Sequence, residues 1–140
     1  MPVSIATTGF SHVRLTVTDI ARSRAFYDAV FGWPVAAEVP AGADAATRQK
    51  LANLFGGVLY PVGGEVFGLR PFASDSFDED RVGLDHLSFA VADRGVLDDA
   101  AGLLDGLGVK HGEVKDIGEA YILEFRDPDN VALELFAPKA

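Results

Sequence analysis

Cysteine is absent from this 140-residue chain, which removes disulfides, thiolate metal sites and cysteine nucleophiles together. Positive charge is scarce: 12 Lys and Arg stand against 21 Asp and Glu, for a net charge of −9. Nucleic-acid phosphates need a basic surface, so this balance argues against a nucleic-acid partner. It disfavours an anionic membrane surface as well. No apolar run approaches the ~18 residues of a membrane span, and no basic-then-apolar leader opens the chain. The expectation is a soluble, cytoplasmic protein. Apolar matter, by contrast, is plentiful, with 49% hydrophobic residues and 10 Phe. That suffices for one domain over 1–140, or for two small half-domains sharing a core.

The stretch Gly9-Phe10-Ser11-His12 returns as Gly83-Leu84-Asp85-His86, an offset of 74 residues. At the same offset Val17 meets Val91, Asp19 meets Asp93, Gly32 meets Gly106 and Val35 meets Val109. A near-halving of the chain suggests two copies of one supersecondary unit, one over about 9–72 and one over about 83–138. Each copy sets a His directly after a polar residue and ahead of a hydrophobic strand, which is how a repeat could build one shared site.

Residues Phe10 to Val17 alternate as a half-buried strand requires. Ser11, Val13, Leu15 and Val17 share one face; Phe10, His12, Arg14 and Thr16 share the other. Asp19 suits an N-cap for a helix over Ile20 to Phe31, and Gly32 suits its left-handed end. A strand is expected over Val35 to Val39, and a loop or short helix over Ala41 to Lys50. Leu51 to Val62 and Glu65 to Arg70 read as strands joined at Gly63-Gly64. The acidic stretch from Pro71 to Arg81 reads as an exposed connector. In the second half, Leu84 to Val91 reads as a strand, and Asp93 opens a helix with Val96, Leu97, Ala100, Leu104 and Leu107 on its apolar face. A short strand is expected over Val109 to Val114. Ala120 to Arg126 and Val131 to Phe136 then form a hairpin about Asp127-Pro128-Asp129-Asn130. The fold class is α+β: two β-α-β-β-β modules with mainly antiparallel sheets.

In the last strand Val131, Leu133 and Leu135 share a face, so Glu134 lies opposite, with Ala132 and Phe136. A lone strand glutamate is usually solvated, and a lone strand histidine is usually structural. Two repeat-related histidines and one glutamate, all opposite the aliphatic face, are together what a divalent metal site needs.

The chain resembles the vicinal oxygen chelate superfamily, which includes glyoxalase I, bleomycin-resistance proteins, extradiol dioxygenases and fosfomycin-resistance transferases. The resemblance spans Gly9 to Pro138. It rests on His12-Val13-Arg14-Leu15-Thr16-Val17-Thr18-Asp19, on Phe26-Tyr27 before Gly32, on Asp85-His86-Leu87-Ser88-Phe89, and on Phe125-Arg126-Asp127-Pro128-Asp129-Asn130 leading to Leu133-Glu134-Leu135. It implies paired modules whose sheets curl around a metal cleft, with His12, His86 and Glu134 as ligands and Glu134 also in the catalytic role. Aligning Val66-Phe67-Gly68-Leu69 with Ala132-Leu133-Glu134-Leu135 puts Gly68 where four-ligand members carry a carboxylate. Glu65 is a slipped-register alternative on the opposite face.

A two-His-one-carboxylate set suits Fe(II) dioxygen chemistry and is similar to that of Mn(II) fosfomycin-type transferases. A glyoxalase reaction would need another base, such as Glu124. The resemblance implies a divalent-metal-dependent, glyoxalase- or dioxygenase-like enzyme, with Fe, Mn, Zn, Ni or Co as cofactor. Its small substrate would be chelated through adjacent oxygens. Arg14 and Arg70 are expected either to hold a substrate carboxylate or phosphate, or to pair with Glu124 and Glu134. Arg126 is the expected partner of Glu124. Tyr121, Trp33 and Tyr60 read as packing residues, and His111 as outside the site. The alternatives are a metal-free ligand-sequestering protein of the bleomycin-resistance kind and a fosfomycin-type thiol transferase. Family members often form homodimers, sometimes with the first module of one chain facing the second of the other. In that arrangement His12 and His86 belong to different sites.

Overall fold

Asp19 and Asp93 start the two long helices in the same way. Each has an extended backbone, and its carboxylate accepts a hydrogen bond from the N–H three residues on, Arg22 and Val96 respectively. One of the donors that a helix N-terminus leaves free is thereby satisfied. The computed structural model describes residues 4–140. In chain order it contains β1 (His12–Thr16), α1 (Ile20–Phe31), β2 (Ala37–Glu38), α2 (Ala45–Leu54), β3 (Val58–Val62), β4 (Glu65–Arg70), β5 (Leu87–Ala90), α3 (Arg94–Gly106), β6 (Lys115–Asp116), β7 (Ala120–Arg126) and β8 (Ala132–Pro138). No helix among the described residues is long and apolar enough to cross a membrane.

The strands form two four-stranded mixed sheets of matching order, β1-β4-β3-β2 and β5-β8-β7-β6. β1 pairs with β4 and β5 with β8 in parallel; the remaining pairs are antiparallel. The expected α+β fold of two repeated modules is the observed one, and β1 and β5 each lie at a sheet edge. Register makes the repeat exact to the residue. Val13 faces Phe67 and Arg14 faces Gly68 in the first sheet, while Leu87 faces Leu133 and Ser88 faces Glu134 in the second. Gly68 is therefore the counterpart of Glu134. Glu65 faces Val62 beside the hairpin turn, so the slipped alternative falls away.

Several element boundaries depart from expectation. Leu51 to Leu54 belongs to α2, not to a strand, because Asp44 caps a helix there by accepting from Thr47 N–H at 2.7 Å. The strand begins only at Val58, after Gly56 (φ 98°) has turned the chain in a conformation that favours glycine. A Cβ at Gly56 would also stand 2.6 Å from Arg70 Cβ. The expected Val35–Val39 strand shrinks to β2. The expected Val109–Val114 strand is replaced by one bridge between His111 and Phe125, since the His111 ring binds Gly112 O and folds the chain locally. Leu107 lies past the end of α3 and is exposed. His86 sits immediately before β5, not within it.

Both sheets turn their aliphatic faces to one shared core. Leu15, Val17, Tyr27, Tyr60, Phe67 and Leu69 from the first module join Leu97, Leu104, Leu123, Phe125, Leu133 and Leu135 from the second. Aromatic rings cross the seam: Phe89 lies 4.9 Å from Phe31, 5.3 Å from Trp33 and 5.9 Å from Phe67 between centroids. Such pairs are each worth about 0.5–1.5 kcal/mol beyond the area they bury.

The Asp127-Pro128-Asp129-Asn130 turn does more than reverse the chain. Asp127 accepts from Tyr27 Oη at 2.8 Å and from the N–H groups of Asp129 and Val131. Asp129 accepts from Thr18 N–H and from Arg22. A hairpin of the second module is thus latched to α1 of the first. The connector is stitched to the same turn through Phe77 N–H donating to Asp129 O and through a two-bond Glu79–Arg126 pair at 2.8 and 2.9 Å. The Arg126 hydrogen bonds, with help from a backbone N–H, hold the Glu79 carboxyl down at about 2. A depressed carboxyl stabilises the fold above its ordinary range and loses that contribution as pH falls through its folded value. Glu79→Gln should therefore lower the thermal midpoint at about pH 6, and the difference from wild type should shrink as the pH falls toward about 2. Equal midpoints at both values would remove any role for the pair.

Candidate functional site

Strand alternation leaves the second face of each sheet uncovered. On the first sheet it presents His12, Arg14 and Thr16, all exposed, with Arg70 half-buried beside them. On the second it presents Ser88, Glu134, Glu124 and Arg126, with His86 at the head of β5. Across the second sheet Ser88, Glu134 and Glu124 fall in one row, because Ser88 faces Glu134 and Glu134 faces Glu124. A recess of about 510 Å³ on this face is lined by His86, Glu134, Glu124, Lys110, Lys115 and Arg126, among others.

His86 Nε2 stands 3.9 Å from Glu134 Oε2. The other polar atom of each side chain is already engaged. Ser88 Oγ donates to Glu134 Oε1 at 2.7 Å, and His86 Nδ1 lies 2.7 Å from Asp85 Oδ1. The Asp85 hydrogen bond holds the His86 imidazolium above the usual histidine range; partial burial opposes it and the charge of Glu134 adds to it. Glu134 is only 14% exposed at its side chain, against 45% for His86. A carboxylate and an imidazole nitrogen thus face one another across a gap that neither closes.

His12 lies on the other sheet, its Nδ1 3.0 Å from Ser11 Oγ. Among the described residues of one chain, no three His, Asp or Glu side chains are grouped so as to hold a metal ion. The chain brings together His86 and Glu134 and leaves His12 apart. At Gly68, the counterpart of Glu134, a Cβ would stand 2.7 Å from Leu59 Cδ2 and 2.9 Å from Arg14 Cγ. The room a fourth carboxylate would need is filled by the Arg14 side chain.

The expected pairings on this face are rearranged. Among the described residues, neither Arg14 nor Arg70 pairs with Glu124 or Glu134. Glu124 takes Lys115 at 3.1 Å instead of Arg126, which is held by Glu79. Arg70 donates weakly to Thr16 Oγ1 at 3.4 Å and lies over the Phe72 ring at 5.3 Å. Tyr60 packs as expected, buried and donating to Asp28, whereas half-buried Trp33 stacks on Phe31 at 4.2 Å and also lines the groove between the modules. Tyr121 is half-buried against the core, with Arg94 and Lys139 over its ring. His111 lines the recess, but both its ring nitrogens are taken, by Gly112 O and by Asp105. Asp85 is the residue of this face that sequence reasoning passed over. Its signal was available, as a polar residue placed directly before the histidine in both copies.

Residues 9–135 match the profile of the Glyoxalase/Bleomycin resistance protein/Dioxygenase superfamily. The chain belongs to that superfamily. Among solved structures, a glyoxylase/bleomycin resistance protein/dioxygenase domain from Frankia sp. EAN1pec is 31% identical, with a TM-score of 0.76 over 96% of this chain and 94% of that one. A mutant of the fosfomycin resistance protein FosX from Listeria monocytogenes, complexed with Mn(II) and 1S,2S-dihydroxypropylphosphonic acid, is 20% identical. It aligns at a TM-score of 0.69 over 96% and 93% of the two chains. Lactoylglutathione lyase from Agrobacterium tumefaciens is 18% identical, at 0.68 over 94% of each. At such identities the last two show the shared superfamily fold alone. No curated protein matches by sequence. In this chain the first module's counterpart of Glu134 is a glycine, Gly68.

Proposed function

We propose that the protein is a divalent-metal-dependent enzyme of the glyoxalase/dioxygenase kind, acting on a small substrate held through two adjacent oxygens. His12, His86 and Glu134 are its ligands, and Fe, Mn, Zn, Ni or Co its metal. The reading rests on the facing pair His86 Nε2 and Glu134 Oε2. At 3.9 Å the two atoms are too far apart for a hydrogen bond. Ligand atoms about 2.1 Å from one ion stand ~3–3.5 Å apart, so a small closing motion suits the pair to a shared ion. Mn(II) in the FosX complex supports a metal of this class.

The third ligand then comes from a second chain. Two copies that lay the open face of one first module against the open face of the other's second module build two equivalent sites, as two-fold symmetry requires. The active unit in this reading is a homodimer. A bound ion would supply Lewis acidity toward two neighbouring substrate oxygens. Ser88 keeps the Glu134 carboxylate turned toward His86. Arg14 and Arg70 orient an anionic substrate group from the facing module. Glu124, directly opposite Glu134 on the next strand, is the carboxylate placed to accept a proton. Purified protein loaded with Mn(II) should hold about one ion per chain, and His86→Ala should lose it. Stoichiometric metal retained in that variant would sink the ligand assignment.

A second reading, a metal-free ligand-sequestering protein, is favoured by the groove of about 880 Å³ between the modules, walled by Phe31, Trp33, Phe67 and Phe89. Tight ligand binding that survives exhaustive chelation would favour it over the enzyme.

A further inference from the structure

We propose that Asp85 is the positioning residue that presents His86 to the metal, with Ser11 its weaker counterpart for His12. The inference rests on the ligand reading above and deepens it. Asp85 and Ser11 occupy the same place in the repeat, and each lies against the Nδ1 of the histidine that follows, at 2.7 and 3.0 Å. Their chemistry differs. An ionised carboxylate only accepts hydrogen bonds, so Nδ1 of His86 carries the hydrogen and donates it. In the neutral ring the lone pair is then on Nε2, the atom that faces Glu134 Oε2. A hydroxyl both donates and accepts. Ser11 therefore steadies the His12 ring without choosing which nitrogen is free.

Two things follow. The His86–Glu134 half of the site is preset within one chain: Asp85 fixes the nitrogen and Ser88 fixes the carboxylate. The His12 half stays adjustable until the facing module arrives. Asp85 also has little else to do. Its side chain is 78% exposed, and among the described residues His86 is its one side-chain hydrogen-bond partner. Its removal should leave the fold intact, which makes the role testable.

The test compares Asp85→Ala, Asp85→Asn, Ser11→Ala and His86→Ala in the full-length protein, using Zn(II) in competition with a chromophoric chelator. Nitrogen-15 NMR of the metal-free histidine rings, at a pH where they are neutral, is the second readout. Asp85→Ala should weaken Zn(II) binding by about 10–100-fold, the usual effect of removing such an outer partner. It should also move the His86 hydrogen from Nδ1 to Nε2, a change that a merely structural residue would not cause. Asp85→Asn keeps an acceptor oxygen and should restore the Nδ1–H form with intermediate affinity. Ser11→Ala should lose less affinity than Asp85→Ala. Wild-type Zn(II) affinity in Asp85→Ala, or an unchanged His86 ring in that variant, would overturn the inference while leaving the ligand set standing. Wild-type affinity in His86→Ala would instead overturn the ligand reading itself.

Discussion

Mixing His12→Ala protein with Glu134→Ala protein should restore metal binding that neither variant has alone. The expectation comes from the faces of the two sheets. Both aliphatic faces are spent on one shared core, so the faces bearing His12 and Glu134 cannot fold onto each other without dismantling it. If the facing half of each site comes from a second chain, each homodimeric variant carries two incomplete sites. A mixed dimer differs. The intact first module of the Glu134→Ala chain meets the intact second module of the His12→Ala chain, and one of the two sites is whole. Free exchange makes about half of the dimers mixed, so binding should return to about a quarter of the wild-type capacity. Metal content after co-refolding reads this directly. If both variants are metal-free and the mixture stays so, the site is assembled within one chain.

The second large effect concerns the latch. Asp127→Ala should destabilise the protein by about 3 kcal/mol, because the donors of Tyr27, Asp129 and Val131 lose their acceptor inside the structure. For a chain of this size that lowers the thermal midpoint by about 10 °C. Asp127→Asn should fall far less, since an amide oxygen still serves the two backbone N–H groups and the amide can donate to Tyr27 Oη. Its deficit should also depend on pH in a particular direction. Burial pushes the Asp127 carboxyl up, against the opposing pull of the Val131, Tyr27 and Asp129 hydrogen bonds. A carboxyl raised in the folded state stabilises most fully below its unfolded value, about 3.9, and loses that contribution as pH rises through the folded value. Asn carries no such charge. The gap between wild type and Asp127→Asn should therefore narrow from about pH 3 to pH 7. A gap that widens with pH would show that the ionised form is the favoured one.

The parts of this fold that were legible in the sequence are those set by short-range physics. Asp19 and Asp93 cap their helices as their positions before apolar runs require. The alternation of Leu133, Glu134 and Leu135 survives as buried, half-buried, buried. Even the alignment of Gly68 with Glu134 holds, because both parallel strand pairs keep one register. What failed was decided elsewhere. Leu51 to Leu54 looked strand-like but follows a capped helix, and Val109 to Val114 lost its ladder to a turn pinned by the His111 ring. The charge pairs failed most broadly: Arg126 took Glu79 from the connector, a partner 47 residues away that no local pattern announces. Of the candidate site, the sequence reading located the side chains and their faces. Their separation onto two outward sheets follows from how the modules pack, which alternation does not encode.

β1, which begins at His12, and β5, which begins just after His86, are each an edge strand of their sheet. An uncovered edge offers a row of unpaired N–H and C=O groups to any passing strand, which is how chains clump. If the edges are covered only in the assembled protein, an ion that binds only that form favours assembly by mass action. Metal supply would then govern solubility as well as turnover.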